Sequence, residues 1–210
     1  MNVLIIYAHP NPKSFNAAIL KEVERGLQEA GHTYTVIDLY KDNFDPVLVY
    51  NDKIRRSDLK NDPATAHYRE LVRQADHLIF MYPVWWYGVP AILKGFFDRV
   101  FVSGFAYRYD GMVPKGLLKG KSAWVVYTID SPGWYVRLVR RSAEWTVIRD
   151  AVLRFCGIRK VKRFMFAGVK RSSPKRRQKW LEYLYHQVRY GGFTGGEFQR
   201  NVRRGKPIDM

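Results

Sequence analysis

The sequence predicts an α/β fold of three layers, a five-stranded parallel sheet between two sets of helices. Three observations carry that expectation. Short apolar runs rich in β-branched and aromatic residues recur five times along the 210 residues. Each run is followed by apolar residues at helical spacing, the alternation that builds right-handed crossovers onto a parallel sheet. The strongest runs are continuous, as strands buried on both faces require. With 47% apolar side chains, the chain is long enough for one domain with a substantial core.

The first strand is Val3 to Ala8, and the loop His9-Pro10-Asn11-Pro12-Lys13 follows it. Ser14 is placed to cap a helix carrying Phe15, Ala18, Ile19, Val23, Leu27 and Ala30, which Gly31 ends. Tyr34 to Leu39 is the second strand. The polar, irregular region from Tyr40 to Asp62 exceeds the usual connection length and is expected to be functional. Pro63 opens a helix bearing Tyr68, Leu71, Val72 and Ala75, and His77 to Tyr82 is the third strand. A turn, Pro83-Val84-Trp85-Trp86-Tyr87-Gly88, leads to a helix with Pro90 at its first position and running to Phe101. Phe105 to Tyr109 reads as a short excursion and Pro114 to Gly120 as a loop. Ser122 to Thr128 is the fourth strand. Beyond Ile129-Asp130-Ser131-Pro132-Gly133-Trp134-Tyr135 a basic stretch and a helix reach about Cys156. Val161 to Val169 is the fifth strand. Ser173 caps a last helix with Trp180, Leu184 and Val188 four residues apart. Residues 1–190 form the domain, and the Gly-rich basic stretch 191–210 reads as a loosely held arm.

In a parallel sheet, ligands bind beyond the carboxyl ends of the strands, where the strand order reverses. The first, third and fourth strands end in the loops just named, so as neighbours they make one pocket. The first loop lacks the glycine patterns of a dinucleotide fold or a P-loop. It offers instead a helix N-terminus with Ser14 and Asn16, plus His9 and Lys13, which suits an anion. The second loop offers three consecutive aromatics, which serve equally well as packing, as a subunit interface or as a platform for a planar ligand. The third supplies Thr128, Asp130 and Ser131, with Trp134 and Tyr135 behind. A phosphate at one end and a wide planar group at the other is the shape of a flavin. No metal site is expected.

Charge is unevenly distributed. Residues 1–130 hold 16 basic and 14 acidic side chains, while residues 131–210 hold 20 and 5, so +15 of the net +17 lies in the last stretch. Such a field favours a nucleotide phosphate, an anionic membrane surface, an acidic protein or nucleic acid. The aromatics are concentrated away from these basic residues, which argues against a single-strand nucleic-acid groove. No apolar run approaches the ~20 residues that span a bilayer. The start Met1-Asn2-Val3-Leu4 lacks secretory features, and the single Cys156 reads as a small buried hydrophobe, so a soluble cytoplasmic protein is expected.

Ala8-His9 with Lys13-Ser14-Phe15-Asn16, and then Gly88-Val89-Pro90-Ala91-Ile92-Leu93-Lys94-Gly95 with Asp98-Arg99-Val100-Phe101, resemble the NAD(P)H:quinone oxidoreductase family of flavodoxin-like proteins. That family includes the DT-diaphorase type, the drug-activity modulators and the quinone reductases attached to potassium-efflux systems. Phe44-Asp45-Pro46, Phe105-Ala106-Tyr107 and Phe155-Cys156-Gly157 fall in the matching order, and the resemblance weakens past about residue 160. It implies a flavodoxin-like three-layer sandwich holding a flavin, usually FAD and in some members FMN, in a homodimer. Carried over by position, His9, Ser14, Phe15 and Asn16 hold the phosphate end, with Lys13 standing where some relatives have threonine. Pro83, Val84, Trp85, Trp86 and Tyr87 line the ring, and Thr128, Ile129, Asp130 and Ser131 face its other side. Tyr135 falls on a tyrosine that hydrogen-bonds the flavin's reducible edge. Ile129-Asp130 replaces the family's Gly-Gly pair, and Arg140 and Arg141 stand near the position of a histidine.

The activity so implied is hydride transfer from NAD(P)H through a bound flavin to a quinone or similar acceptor. A second expectation is a flavin-binding ancillary subunit of a membrane transporter such as a potassium-efflux system. For that role the cluster Lys170-Arg171 and Lys175-Arg176-Arg177 would meet acidic lipid or an acidic partner.

Overall fold

The computed structural model describes residues 1–193. In chain order the elements are β1 (Asn2–Tyr7), α1 (Phe15–Glu29), β2 (Thr33–Asp38), a 3-10 turn (Arg56–Asn61), α2 (Pro63–Gln74), β3 (His77–Pro83) and α3 (Ala91–Val100). There follow a hairpin of β4 (Tyr107–Asp110) and β5 (Val113–Gly116), then β6 (Ser122–Ile129) and a π-helical turn (Tyr135–Val139). The chain continues with α4 (Ala143–Thr146), a second π-helical segment (Val147–Arg154), β7 (Lys160–Ala167), a 3-10 turn (Val169–Arg171) and α5 (Pro174–Tyr190). The main sheet runs β2-β1-β3-β6-β7 with every pair parallel, so the expected five-stranded sheet is present.

The burial of each strand follows from its place in that order. Every residue of β3 and β6 is buried, because both lie inside the sheet with helices on each face. The edge strands β2 and β7 keep exposed residues. Helices α1 and α5 cover one face, where Ile19, Val23, Leu27, Leu184 and Val188 share a core with Ile5, Ile79 and Trp124 of the sheet. On the other face, Val72 of α2 and Leu93, Phe96 and Phe97 of α3 pack with Phe80 and Val125. Val136, Ile148 and Leu153 from the π-helical region complete that core.

Three expectations need correction. Pro90 is the N-cap of α3 and not its first helical residue. The stretch from Phe105 to Gly120 contains a two-stranded antiparallel hairpin in place of an excursion and a loop, with Tyr109 paired to Pro114. The helix expected before Cys156 is broken into π-helical and α-helical pieces around Arg141 and Ser142, which adopt left-handed φ of +50° and +53°. The core also extends past residue 190. Phe193 is buried against His77 and Trp124, and the rest of the stretch read as an arm, 194–210, lies outside the described residues. Cys156 is buried as expected, and burial pushes its thiol up to about 12.

The irregular region after β2 is tied down at both ends. Phe44 is buried against Tyr68 and Phe96. The Arg99 guanidinium donates to the Asp45 carbonyl at 2.6 Å and to the Asp45 carboxylate at 2.9 Å. It also reaches the Asp62 carboxylate at 3.3 Å. Gly95 lets α3 approach this region so closely that a Cβ there would overlap the Pro46 backbone.

Candidate functional site

The three loops expected to converge do so. Strand β3 lies between β1 and β6, and the register sets Tyr7 beside Met81 and Pro83 beside Thr128. The chain leaves all three strands at one edge, with the reversal of strand order between β1 and β3. A cleft of about 180 Å³ opens there, lined by His9, Phe15, Asn16, Pro83, Val84, Trp85, Thr128, Ile129, Asp130 and Val169.

At the cleft's first wall, Ser14 has extended backbone and caps α1, its Oγ accepting from the Ala17 amide at 3.1 Å. The first-turn amides of Phe15 and Asn16 have no intrahelical partner by geometry and point outward as donors. The buried Asn16 side chain donates to Thr128 Oγ1 at 2.8 Å, which locks the first loop to the third. His9 Nδ1 accepts from the Asn11 amide at 3.0 Å. Burial holds the His9 pKa below its ordinary value, so the ring is neutral at pH 7 and carries its proton on Nε2. The Tyr7 hydroxyl is buried nearby with no hydrogen-bond partner among the described residues, and burial raises its pKa.

The second wall is a tight turn. The Trp85 amide donates to Gly88 O at 3.1 Å and the Gly88 amide returns a bond to Trp85 O at 2.9 Å. Trp86 and Tyr87 between them have φ of +52° and +55°, the signature of a type I′ turn. Glycine and asparagine normally occupy such positions, and two bulky aromatics there store strain. The amides of Trp86 and Tyr87 have no hydrogen-bond partner among the described residues. The Tyr87 hydroxyl meets Ser131 Oγ at 2.9 Å, and this closes the second loop onto the third. Trp86 points fully into solvent, at 101% relative exposure, and does not line the cleft of its own chain.

Tyr135 begins the π-helical turn beyond the third loop and packs edge-on to Trp134. The Arg140 guanidinium lies 4.7 Å from the Tyr87 ring centroid and 5.7 Å from that of Tyr135. Tyr87, Ser131, Tyr135 and Arg140 therefore form one polar-aromatic group beside the cleft. From Asp130 a second, larger groove of about 800 Å³ continues past Trp134, Arg137, Gly168, Lys170, Arg171, Arg176 and Trp180. Its cationic wall is part of the basic excess read from the sequence.

Of the residues expected at the site, Lys13 is exposed and, like Ser14, Trp86, Tyr87, Ser131 and Tyr135, is outside the cleft lining itself. Val169 was missed, since it follows the weakly patterned edge strand β7. The part played by Arg140 is legible only in three dimensions. Among the described residues no group of His, Cys, Asp and Glu is arranged to hold a metal ion, and no helix is long and apolar enough to cross a membrane.

A parallel α/β sheet with its cleft at the switch point and an open helix N-terminus beneath defines the class of doubly wound protein that binds its ligands at that edge. The chain belongs to the flavodoxin-like fold family, which matches residues 1–188. It is 36% identical over 187 residues to an uncharacterized NAD(P)H oxidoreductase of Haemophilus influenzae, covering 87% of this chain and 91% of that one. To the ribosyldihydronicotinamide dehydrogenase [quinone] of Mus musculus it is 32% identical over 202 residues, covering 85% and 87%. The solved NAD(P)H:quinone oxidoreductase of Methanothermobacter marburgensis superposes with a TM-score of 0.79 at 30% identity, covering 90% of this chain and 96% of that one. The chain is thus an oxidoreductase by family. The transporter-subunit alternative gains no support from these relatives.

Proposed function

We propose that this protein is a flavin-dependent NAD(P)H:quinone oxidoreductase working at the three-loop cleft. The carrying observation is a pair of open donor sets, the α1 first-turn amides at the first wall of that cleft and the unpartnered Trp86–Tyr87 amides in the turn that follows its second wall. When bound, a flavin supplies the two-electron hydride chemistry. The protein's own residues do the rest. The α1 amides and neutral His9 hold the phosphate end, with Lys13 and Ser14 beside them. Pro83, Val84 and Trp85 would form one side of the ring site and Thr128, Ile129 and Asp130 the other, with Ser131 bonded to the Tyr87 hydroxyl beside it. The amides of Trp86 and Tyr87 would donate to a polar edge of the ring. Tyr135 would donate its hydroxyl to the flavin's reducible edge, and Arg140, 5.7 Å from the Tyr135 ring centroid, would favour negative charge there.

FAD is the form we favour over FMN. The basic groove that runs on from Asp130 gives an adenosine diphosphate arm cations at Arg137, Lys170, Arg171 and Arg176 and indole faces at Trp134 and Trp180. A homodimer accompanies this reading. A second copy covering the fully exposed Trp86 would close the turn beside the cleft. Exposed Trp86, Tyr109, Met112 and Val113 give such a copy apolar surface to cover. The basic surface beyond the groove suits an acidic protein or lipid headgroup as a peripheral contact. The lone buried Cys156 fits a reducing cytoplasm.

The test is a spectrum. The purified protein is expected to be yellow, to bleach with NAD(P)H under anaerobic conditions and to recover its colour on adding a quinone. A colourless protein that takes up neither FAD nor FMN overturns the reading. Mass measurement of the released flavin decides between FAD and FMN, and sedimentation gives the oligomeric state.

A further inference from the structure

Glu144, in the first turn of α4, is a buried charge with no place in the cleft: its side chain is 2% exposed. One carboxylate oxygen, Oε1, accepts from the Tyr127 hydroxyl at 2.7 Å and from Arg163 Nη2 at 2.8 Å. Arg163, in the middle of β7, donates through Nη1 to Ser142 Oγ at 2.9 Å. Glu144 Oε2 and Arg163 Nε are buried with no partner among the described residues. An ion pair between a buried carboxylate and a partly buried guanidinium, with unsatisfied atoms on both, is a poor way to stabilise a core, because an apolar pair of the same size usually serves as well. What it supplies is direction.

That direction acts on a strained turn. Arg141 and Ser142 both have positive φ, and nothing in their side chains favours it. The Ser142 amide donates to Val136 O at 2.9 Å, and the Arg140 amide to Tyr135 O at 3.0 Å. Those two bonds close the loop that begins at Tyr135. Arg140 precedes the strained pair and rests over the Tyr87 and Tyr135 rings. A continuous set of contacts thus leads from the carboxylate to the side chains beside the cleft: Glu144 to Arg163, Arg163 to Ser142, Ser142 to the loop, and the loop to Arg140 and Tyr135. Tyr127 joins the same carboxylate to the second wall, since its ring stacks on Tyr82 at 5.8 Å, and Tyr82 leads into Pro83 and Val84.

We propose that Glu144 and Arg163 are positioning residues, a buried clamp that holds the Arg141–Ser142 turn in its left-handed form and so fixes Arg140 and Tyr135 beside the cleft. Its relevance to turnover rests on the function proposed above. The clamp itself does not.

Limited trypsin digestion tests the clamp directly, because Arg140 and Arg141 are exposed cleavage sites within the turn. Three forms are compared as purified, with cut sites mapped by mass spectrometry: the native protein, Glu144→Gln, and the apolar pair Glu144→Met with Arg163→Met. The apolar pair is the control for folding, since it fills the core without giving direction. Cleavage after Arg140 or Arg141 is expected to rise about tenfold in both variants while other sites are cut at the native rate. Native-rate cleavage at the turn in the apolar pair overturns the clamp, as does a rise spread evenly over all sites. Steady-state kinetics follow. Both variants are expected to lower kcat about tenfold with little change in KM, and the loss should vanish in a Tyr135→Phe background. A released turn with native kcat would overturn the role given to Tyr135 and Arg140 and leave the clamp standing.

Discussion

At the residue scale, the chemistry proposed for Tyr135 makes a narrow demand. Its hydroxyl acts only while charge develops, so removing it should leave substrate binding intact and slow the reductive step. Tyr135→Phe is expected to lower kcat by about ten- to a hundredfold, the worth of one hydrogen bond to a charged group, with KM within about twofold of native. Stopped-flow reduction by NAD(P)H measures this, and a native rate constant would remove Tyr135 from the site. The place of Ser14, Phe15 and Asn16 at the start of α1 was legible because a helix start after a strand is a local pattern: they follow Ala8 within one short loop. The bond from Asn16 to Thr128 was not legible, because it joins positions 112 residues apart. Arg140 was noted only as a departure, since nothing in a basic stretch says which guanidinium turns back over a tyrosine.

At the scale of elements, the sheet was the readable part. Strands β1, β3 and β6 are buried on both faces, so their composition is almost wholly apolar and no other element competes for the pattern. The β4–β5 hairpin escaped for the opposite reason: most of its residues are exposed and Pro114 sits within it. The π-helical region escaped because its buried residues, Val136, Ile148 and Leu153, are not at α-helical intervals. Two predictions belong here. Trp86 makes no use of burial and is held at φ +52°, so Trp86→Gly should stabilise the isolated chain by about 1 kcal/mol, raising Tm by roughly 2–4 °C. The same change should weaken self-association or acceptor binding, because it removes the ring that the strain displays. A fall in Tm would show that the turn is not strained. Gly95→Ala is expected to do the reverse, since α3 cannot retreat from Pro46 without opening the core around Phe96. A loss of about 2 kcal/mol or more by urea unfolding, with faster proteolysis between residues 40 and 62, is the expected result.

At the scale of the whole molecule, β3 runs from the cleft end of the sheet to the opposite end. Its last residue, Pro83, lines the cleft, while its first, His77, is fully buried and bonded to Ser122 Oγ at 2.7 Å. His77 packs against Trp124 and Phe193, so the start of the C-terminal segment is part of the same core. Burial, with a smaller contribution from nearby His32, pushes the His77 pKa down to about 3. The unfolded chain has its histidine near 6.5. Below that value the unfolded state takes up a proton that the folded state refuses, so stability is lost as pH falls from about 6.5 toward 3 and is unaffected well above 6.5. Between pH 7.5 and 5.5 the single group accounts for about 1.4 kcal/mol, or roughly 3–5 °C of Tm in a chain of this size. Replacing His77 with Asn keeps a polar partner for Ser122 and removes both the titration and the ring that packs on Trp124 and Phe193. The variant should therefore be less stable than the native protein at pH 7.5, yet lose about 1.4 kcal/mol less on going to pH 5.5. Paired urea titrations at the two pH values give that difference directly. Equal losses in both proteins would mean that His77 is protonated in the folded state, and that the base of β3 is open to water.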